Sequence, residues 1–436
     1  MQQLASWKPI KGICAFWPLG GPQVIQQAGK NRPRPAPDTF LFTDGPPANH
    51  FRPQVIAWLK EAGFDHVRIQ YEPMTIMWAI ENNDAPFLEW LLDYFEDTCT
   101  RILAGGLGVC LSGILANYAE VMVFDTVFAG MNAPRYQVYK EHLRQLCRRF
   151  KDTDPGQFCI ELLNEPVANG STVVRDSPNW HIGYTGNWAT DYQPDLYALY
   201  REELPRHTAI LTSDGWSNWE TLTQLVPTET MLADNNIIWT YHPLFPTPVS
   251  LAGYVYNQYF YTQRLRYPPG AGGQTLAEAI AHMEALVDEF PHVATGGNPE
   301  GIKAGLRGDL QRYFQDPQGY DWILERVMAT TNWARSFDIP AGNVYAGEWG
   351  ATRDSTGFPG NILGSAVGSK ACMRIDRIHL HRDMCRAFRA AGQRHAVDHL
   401  DTLNYGITLA QNNKIGPFDK LITGAMELDR ARILPF

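Results

Sequence analysis

Two glutamates stand out in this chain because of what surrounds them. Leu162-Leu163-Asn164-Glu165-Pro166 and Ala346-Gly347-Glu348-Trp349-Gly350 each place an acid at the end of an apolar, strand-like run. Two carboxylates brought into one cleft can divide a bond cleavage between them. One protonates a leaving oxygen while the other attacks the carbon from the opposite face, as glycosidic bonds require. An isolated glutamate is ordinarily a solvated surface residue. Two in equivalent local settings read as a pair.

Such a pair needs a scaffold that gathers distant strand ends. Strand-like runs recur at Ile13–Trp17, Phe64–Ile69, Gly106–Leu115, Phe158–Leu163, Ala209–Thr212, Ile237–Tyr241, Asn343–Ala346 and Leu400–Tyr405. Between them lie helical patterns at 53–62, 86–103, 134–151, 194–205, 274–290, 303–316, 319–337 and 372–391. In the second of these, Phe87, Leu88, Leu91, Leu92 and Phe95 form one apolar face. Strand–helix alternation implies a parallel sheet. The number of units predicts a single catalytic (β/α)8 TIM barrel over residues 1–436, with long insertions at about 167–193 and 243–340. An open doubly wound sheet is the alternative. It would carry a glycine-rich phosphate loop, and no GxGxxG or GxxxxGKS/T occurs. In a barrel, chemistry sits where the strands end. The fourth and seventh runs would aim Glu165 and Glu348 at each other across the mouth.

With those motifs in view, the chain resembles glycoside hydrolase family 5, the clan A retaining β-glycanases that include many cellulases and mannanases. The resemblance runs from about residue 10 to the C-terminus. It is carried by Phe64-Asp65-His66-Val67-Arg68-Ile69, Asn164-Glu165-Pro166, Tyr241-His242, Gly347-Glu348-Trp349-Gly350 and the closing stretch Phe418–Met426. The resemblance implies a retaining mechanism with Glu165 as acid/base and Glu348 as nucleophile. It also implies that Arg68 lies under the nucleophile, that Asn164 binds the sugar 2-hydroxyl, and that His242 contacts the acid/base or the substrate. Tyr241, Trp216 and Trp349 are further candidates for substrate contact or support. Arg68 beside Glu348 would then depress its pKa by charge, while Glu165, facing that charge, would keep its proton.

The sequence departs from the family at three places. Ser112–Asn117 lacks the usual third-strand histidine, His242-Pro243-Leu244 lacks the tyrosine of His-x-Tyr, and Leu400–Tyr405 lacks the eighth-strand tryptophan. Asn117, Asn404 or Tyr405 would have to take over sugar contacts. A carbohydrate-binding pseudoenzyme on the same barrel is the second reading, motivated by these losses. A barrel enzyme using a metal or a Schiff-base lysine is the third, and no ligand-spaced cluster supports it.

Composition narrows the partners. The chain has 13 Trp, 19 Tyr and 20 Phe, an aromatic excess that suits a sugar-stacking surface as well as a core. Trp180, Trp188, Trp216 and Trp219 fall in loops after the fourth and fifth runs, where they either stack on sugars or pack the loops. The tyrosines 254, 256, 259 and 261 either cover the cleft or pack on the helices that come next. Asp376, His379, His381 and Asp383 read as a solvated helix face. A net charge of −9 without a basic stripe argues against nucleic acid. No run of about 20 apolar residues predicts a membrane span. No cofactor, metal or obligate protein partner is expected, and the partner is an oligo- or polysaccharide. Seven cysteines without a CxxC pair suit a reducing compartment, or a secreted protein that does not depend on disulfides. The first residues, MQQLASWKPIKG, lack an apolar signal centre, so the expectation is a cytoplasmic protein or a secreted or periplasmic one with its signal trimmed.

Overall fold

The structure is a computed structural model. It describes residues 4–16, 24–27, 30–33, 51–115, 127–166, 187–253, 258–291, 298–352, 372–398 and 420–426. Its centre is a closed barrel of eight parallel strands. These are β1 (Lys11–Phe16), β4 (His66–Tyr71), β5 (Gly108–Gly113), β6 (Phe158–Glu161), β7 (Ala209–Thr212), β8 (Ile237–Tyr241), β9 (Val344–Trp349) and β10 (Arg394–Val397). The ring runs β1-β10-β9-β8-β7-β6-β5-β4 and closes where β4 pairs with β1. β2 (Val24–Gln27) and β3 (Lys30–Pro33) form a separate antiparallel ribbon.

The barrel strands are buried on both faces, which is why they read as near-continuous apolar runs. Their side chains alternate. Cys14, Cys110, Cys159, Ile210, Ile238, Tyr345 and Ala396 fill the interior, with Ala5 and Trp7 packed against them. Ile13, Val67, Val109, Ile160, Leu211 and Trp239 point outward into the shell beneath the helices. Local signals start and stop those helices. Asp84 accepts a hydrogen bond from the Phe87 backbone at the start of helix Ala85–Ala104, with proline in its first turn. Thr275 and Glu278 form a reciprocal capping box on helix Leu276–Glu289. All seven cysteines are buried and free. Among the described residues, no helix is long and apolar enough to cross a membrane.

Several expectations are corrected. The eighth strand is Arg394–Val397, not Leu400–Tyr405, and residues 400–405 lie outside the described residues. A strand carrying Arg394 and His395 does not read as buried, yet both are. Helix Pro73–Glu81, capped by Glu72, went unrecognised. Asp376, His381 and Asp383 are buried, not a solvated face. Asp376 takes an ion pair from Arg266, and Asp383 accepts from the Tyr267 hydroxyl at 3.0 Å. The segment after β8 therefore packs on helix Arg374–Ala391. Within that segment, Tyr259 donates to Asp309 and Tyr261 to the Phe290 carbonyl, so both pack on the helices next in the chain.

Candidate active site

A β-bulge aims the seventh-strand acid. Ala346 pairs with His395 and Trp349 with Val397, so Gly347 and Glu348 together oppose Ala396. Simple alternation from the inward Tyr345 would turn Glu348 outward. The extra residue turns it inward and sends Trp349 out. Gly347 is required there, because a Cβ would lie 2.5 Å from Thr240 Oγ1 and 3.1 Å from His242 Nε2.

Arg68 is the hub of what lies inside. It comes from β4 and is fully buried. Its Nη1 donates to Glu348 Oε1 at 2.7 Å. Its Nε donates to Glu161 Oε2 at 2.8 Å, and its Nη2 reaches Asn164 Oδ1 at 2.6 Å and Ser112 Oγ at 2.9 Å. Burial opposes the arginine's charge, but Glu161 and Glu348 offset this and hold its pKa well above the ordinary value. Gln70, one turn of the pleat further along β4, donates its amide to the same Glu348 oxygen.

The acid after β6 is held differently. Glu165 adopts φ 42°, a left-handed conformation uncommon outside glycine and often found at functional sites. His242, following β8, places Nδ1 2.7 Å from Glu165 Oε1 and 3.7 Å from Glu348 Oε1. Its Nε2 faces Arg68 Nη2 at 3.5 Å. A guanidinium only donates, so Nε2 accepts and the proton sits on Nδ1, donating to Glu165. Burial keeps this imidazole below its ordinary pKa, which favours the neutral ring.

The expected low pKa of Glu348 is not what the surroundings produce. Burial pushes it up to about 7, with His242 and Arg68 pulling down and Glu165 and Asp398 pushing up. Arg68 is already committed to Glu161, so its charge is shared between two buried carboxylates.

An oxygen of Glu165, one of Glu348 and a nitrogen of His242 all lie within 4.8 Å of one another. Such a trio resembles a metal donor set. Here the Glu348 oxygen already accepts from a guanidinium, and a cation at that point would meet Arg68's positive charge. The arrangement suits proton and nucleophile chemistry between the two acids.

The remaining candidates divide. Asn164 is buried beside Arg68, and its Nδ2 has no partner among the described residues. Trp216 is 46% exposed, and its backbone N–H donates to the Pro166 carbonyl at 3.2 Å, directly after Glu165. Tyr241 and Trp349 are not brought to the pair. Tyr241 points outward and donates to Gln393 at 2.8 Å, while Trp349 is enclosed by His381, Phe388 and His395. Trp188 is also fully buried, donating to the Thr212 carbonyl at 2.8 Å, and Trp219 packs at the edge of the core. Trp180, Asn117, Asn404 and Tyr405 lie outside the described residues. Glu161, Gln70 and Asp398 were missed. Glu161 had a signal, a charge inside the apolar run Phe158–Leu163.

A closed parallel (β/α)8 barrel with a close carboxylate pair over a buried arginine defines the class of this protein's fold and site. Solved structures place the chain among glycoside-hydrolase barrels in fold. The cellulose synthase subunit Z (CcsZ) from Clostridioides difficile aligns with a TM-score of 0.59 at 16% identity, covering 96% of this chain and 100% of that one. Cel5A from Thermotoga maritima, in complex with mannotriose substrate, aligns at 0.54 and 16% identity over 86% and 90% of the two chains. A further glycoside hydrolase aligns at 0.57 and 12% identity over 96% and 99%. No family model and no curated protein sequence matches the chain.

Proposed function

We propose that this protein is a retaining glycoside hydrolase of the family 5 type, cleaving β-glycosidic bonds of an oligo- or polysaccharide. The observation that carries the reading is the spacing of Glu165 and Glu348, whose facing oxygens lie within 4.8 Å. Retaining enzymes hold their carboxyl groups about 5–5.5 Å apart, whereas inverting enzymes leave room for a water between them. The fold neighbour Cel5A, solved with mannotriose and with cellobiose, supports a β-glycan as the substrate class.

In this mechanism the ionised Glu348 attacks the anomeric carbon. Glu165 gives its proton to the departing glycosidic oxygen, whose bond to carbon breaks with its electron pair. Glu348 is then an ester and carries no charge, so Glu165 becomes more acidic and stays ionised. It takes a proton from water, the water oxygen bonds to the anomeric carbon, and the ester bond returns its electrons to Glu348. Arg68 supports the nucleophile's charge and His242 orients Glu165, and the Nδ2 of Asn164, which has no partner among the described residues, supports reading it as a donor to a sugar hydroxyl.

The test is a broad glycan panel, followed by a fluorinated mechanism-based glycoside of whichever sugar is cleaved. The expected outcome is a covalent label on Glu348 by peptide mapping and a product of retained anomeric configuration. Glu348→Gln should abolish turnover, and Glu165→Gln should spare activated aryl glycosides, which need less acid assistance. Inverted product would refute the retaining mechanism. Sugar binding without hydrolysis across the panel would favour a binding protein on the same barrel.

A further inference from the structure

Gln70 has a place in the site that packing does not explain. It lies on β4 two residues after Arg68, so both point into the barrel, and it is 2% exposed. Its Nε2 donates to Glu348 Oε1, while its own Oε1 is buried with no partner among the described residues. The amide orientation is fixed by charge, since the reverse would set two oxygens against each other. A buried amide oxygen without a donor is destabilising. Methionine would fill the same space without that penalty.

The surroundings show what the glutamine supplies. Only one N–H of Arg68, on Nη1, reaches Glu348, because Nε and Nη2 serve Glu161, Ser112 and Asn164. The charged and titratable groups facing Glu348 are Arg68 from β4 and Cys14 from β1, with Glu165, His242 and Asp398 beyond the ends of β6, β8 and β10. Carboxylates outnumber cations in that set. A further donor that adds no charge is what Glu348 lacks.

We propose that Gln70 is the positioning residue of the nucleophile, pinning Glu348 Oε1 together with Arg68 and leaving Oε2 to attack. The proposal rests on Glu348 being the nucleophile. The same contact serves both steps. As the bond from Oε2 to the anomeric carbon forms and the leaving oxygen departs with the proton of Glu165, Oε1 becomes an ester carbonyl. Donors on a carbonyl oxygen draw electrons toward it, which makes Glu348 a better leaving group when water attacks.

The deciding variant is Gln70→Met in the full chain. The thermal midpoint should hold or rise, because the orphaned oxygen is gone. On a glycoside that the wild type cleaves, kcat should fall about 10- to 100-fold with KM little changed. The acidic limb of kcat/KM should move up by about one pH unit. An unchanged limb with kcat within about twofold of wild type would overturn the proposal. Should that variant fail to fold, isosteric Gln70→Glu must still raise the limb. A fixed limb there is equally fatal. Carboxyl titration of Glu348 by 13C NMR, assigned with Glu348→Gln, separates this proposal from the functional reading. If no glycoside is cleaved by the wild type, the hydrolase reading falls. The Glu348 titration must still rise in Gln70→Met, or the contact has no electrostatic role.

Discussion

Two arginines are buried in the barrel, and they sit in opposite kinds of environment. Arg394 lies at the end where the strands begin, 2% exposed, and donates to the backbone carbonyls of Gly342 and Pro9 beside the Trp7 ring. It meets dipoles at hydrogen-bond distance, and burial pulls its pKa down to about 10 against an opposing pull from Asp65. Arg68 lies toward the end where the strands finish and meets carboxylates, which hold its pKa up. Nearby at the lower end, His66 and His395 are kept below their ordinary pKa by burial. The lower layer thus closes the barrel with groups that balance locally. The upper layer gathers more acids than one arginine can neutralise. Residue type alone does not mark a functional charge; the groups facing that charge do.

The largest way to break this contrast is to remove each cation in turn. Arg68→Met leaves Glu161 and Glu348 buried without their partner. Breaking one side of a buried pair is expected to cost about 3–5 kcal/mol, and kcat/KM should fall by about 10³-fold or more. Arg394→Met leaves two carbonyls without a donor and should cost about 1–3 kcal/mol, with kcat unchanged. Thermal melts and kcat/KM on one aryl glycoside check both. A loss of kcat in well-folded Arg394→Met would erase the distinction between the layers.

A tryptophan beside Glu348 sharpens it at similar scale. Trp349 lies one residue after Glu348 yet faces away from the cleft, fully buried against Phe388. Trp349→Phe should therefore act on stability, by about 1–3 kcal/mol, and leave KM for a glycan unchanged. Chemical denaturation with parallel steady-state kinetics would show this. A raised KM at full stability would return Trp349 to the cleft.

That tryptophan also shows what the sequence could and could not reveal. The barrel was legible because parallel strands buried on both faces read as apolar runs between helices with clear caps. Glu165 and Glu348 were legible because each closes such a run. Their orientation was not, because a bulge inserts one residue and reverses the facing of the residues after it. Trp349 and Tyr241 were assigned to the cleft for adjacency in sequence, and both point outward. Glu161 and Gln70 escaped because one lies inside a strand-like run and the other just past the run Phe64–Ile69, and each acquires meaning only across the barrel, against Arg68 on β4 and Glu348 on β9 respectively. The raised pKa of Glu348 escaped for the same reason. Burial inside the barrel sets it first, ahead of any pull from Arg68.

The pH dependence of stability tests that ranking. Glu348 has a folded pKa of about 7 against an ordinary 4.5, so folding favours its protonated form. Its contribution is fully present below about 4.5 and is lost as pH rises through 7. Glu348→Gln removes the loss. The variant should be more stable than wild type at pH 8 by on the order of 2–3 kcal/mol, with the gap closing toward pH 4. Melting curves across that range decide it. A gap that widened on acidification would mean that Arg68 dominates after all.

The smallest expected effect concerns Trp216, which has φ 63° and stands between Gly215 and Ser217, themselves in the same left-handed region. Holding a bulky residue there costs about 1–3 kcal/mol. The turn is fastened to both halves of the site, through the Trp216 N–H on the Pro166 carbonyl and the His242 N–H on the Ser217 carbonyl at 2.7 Å. Strain of this kind persists where the surroundings over-determine it, and here it holds a half-exposed indole on a turn whose backbone is bonded to Pro166. Trp216→Gly relieves the backbone, since glycine takes positive φ freely. It also removes the indole that the proposed sugar contact would use. The variant should melt at or slightly above wild type, by about 1 kcal/mol, while KM for an oligosaccharide rises about five- to tenfold. KM for a small aryl glycoside should change less, because fewer sugar faces are lost. A stabilised variant with unchanged KM would mean that the turn serves the loops and not the sugar.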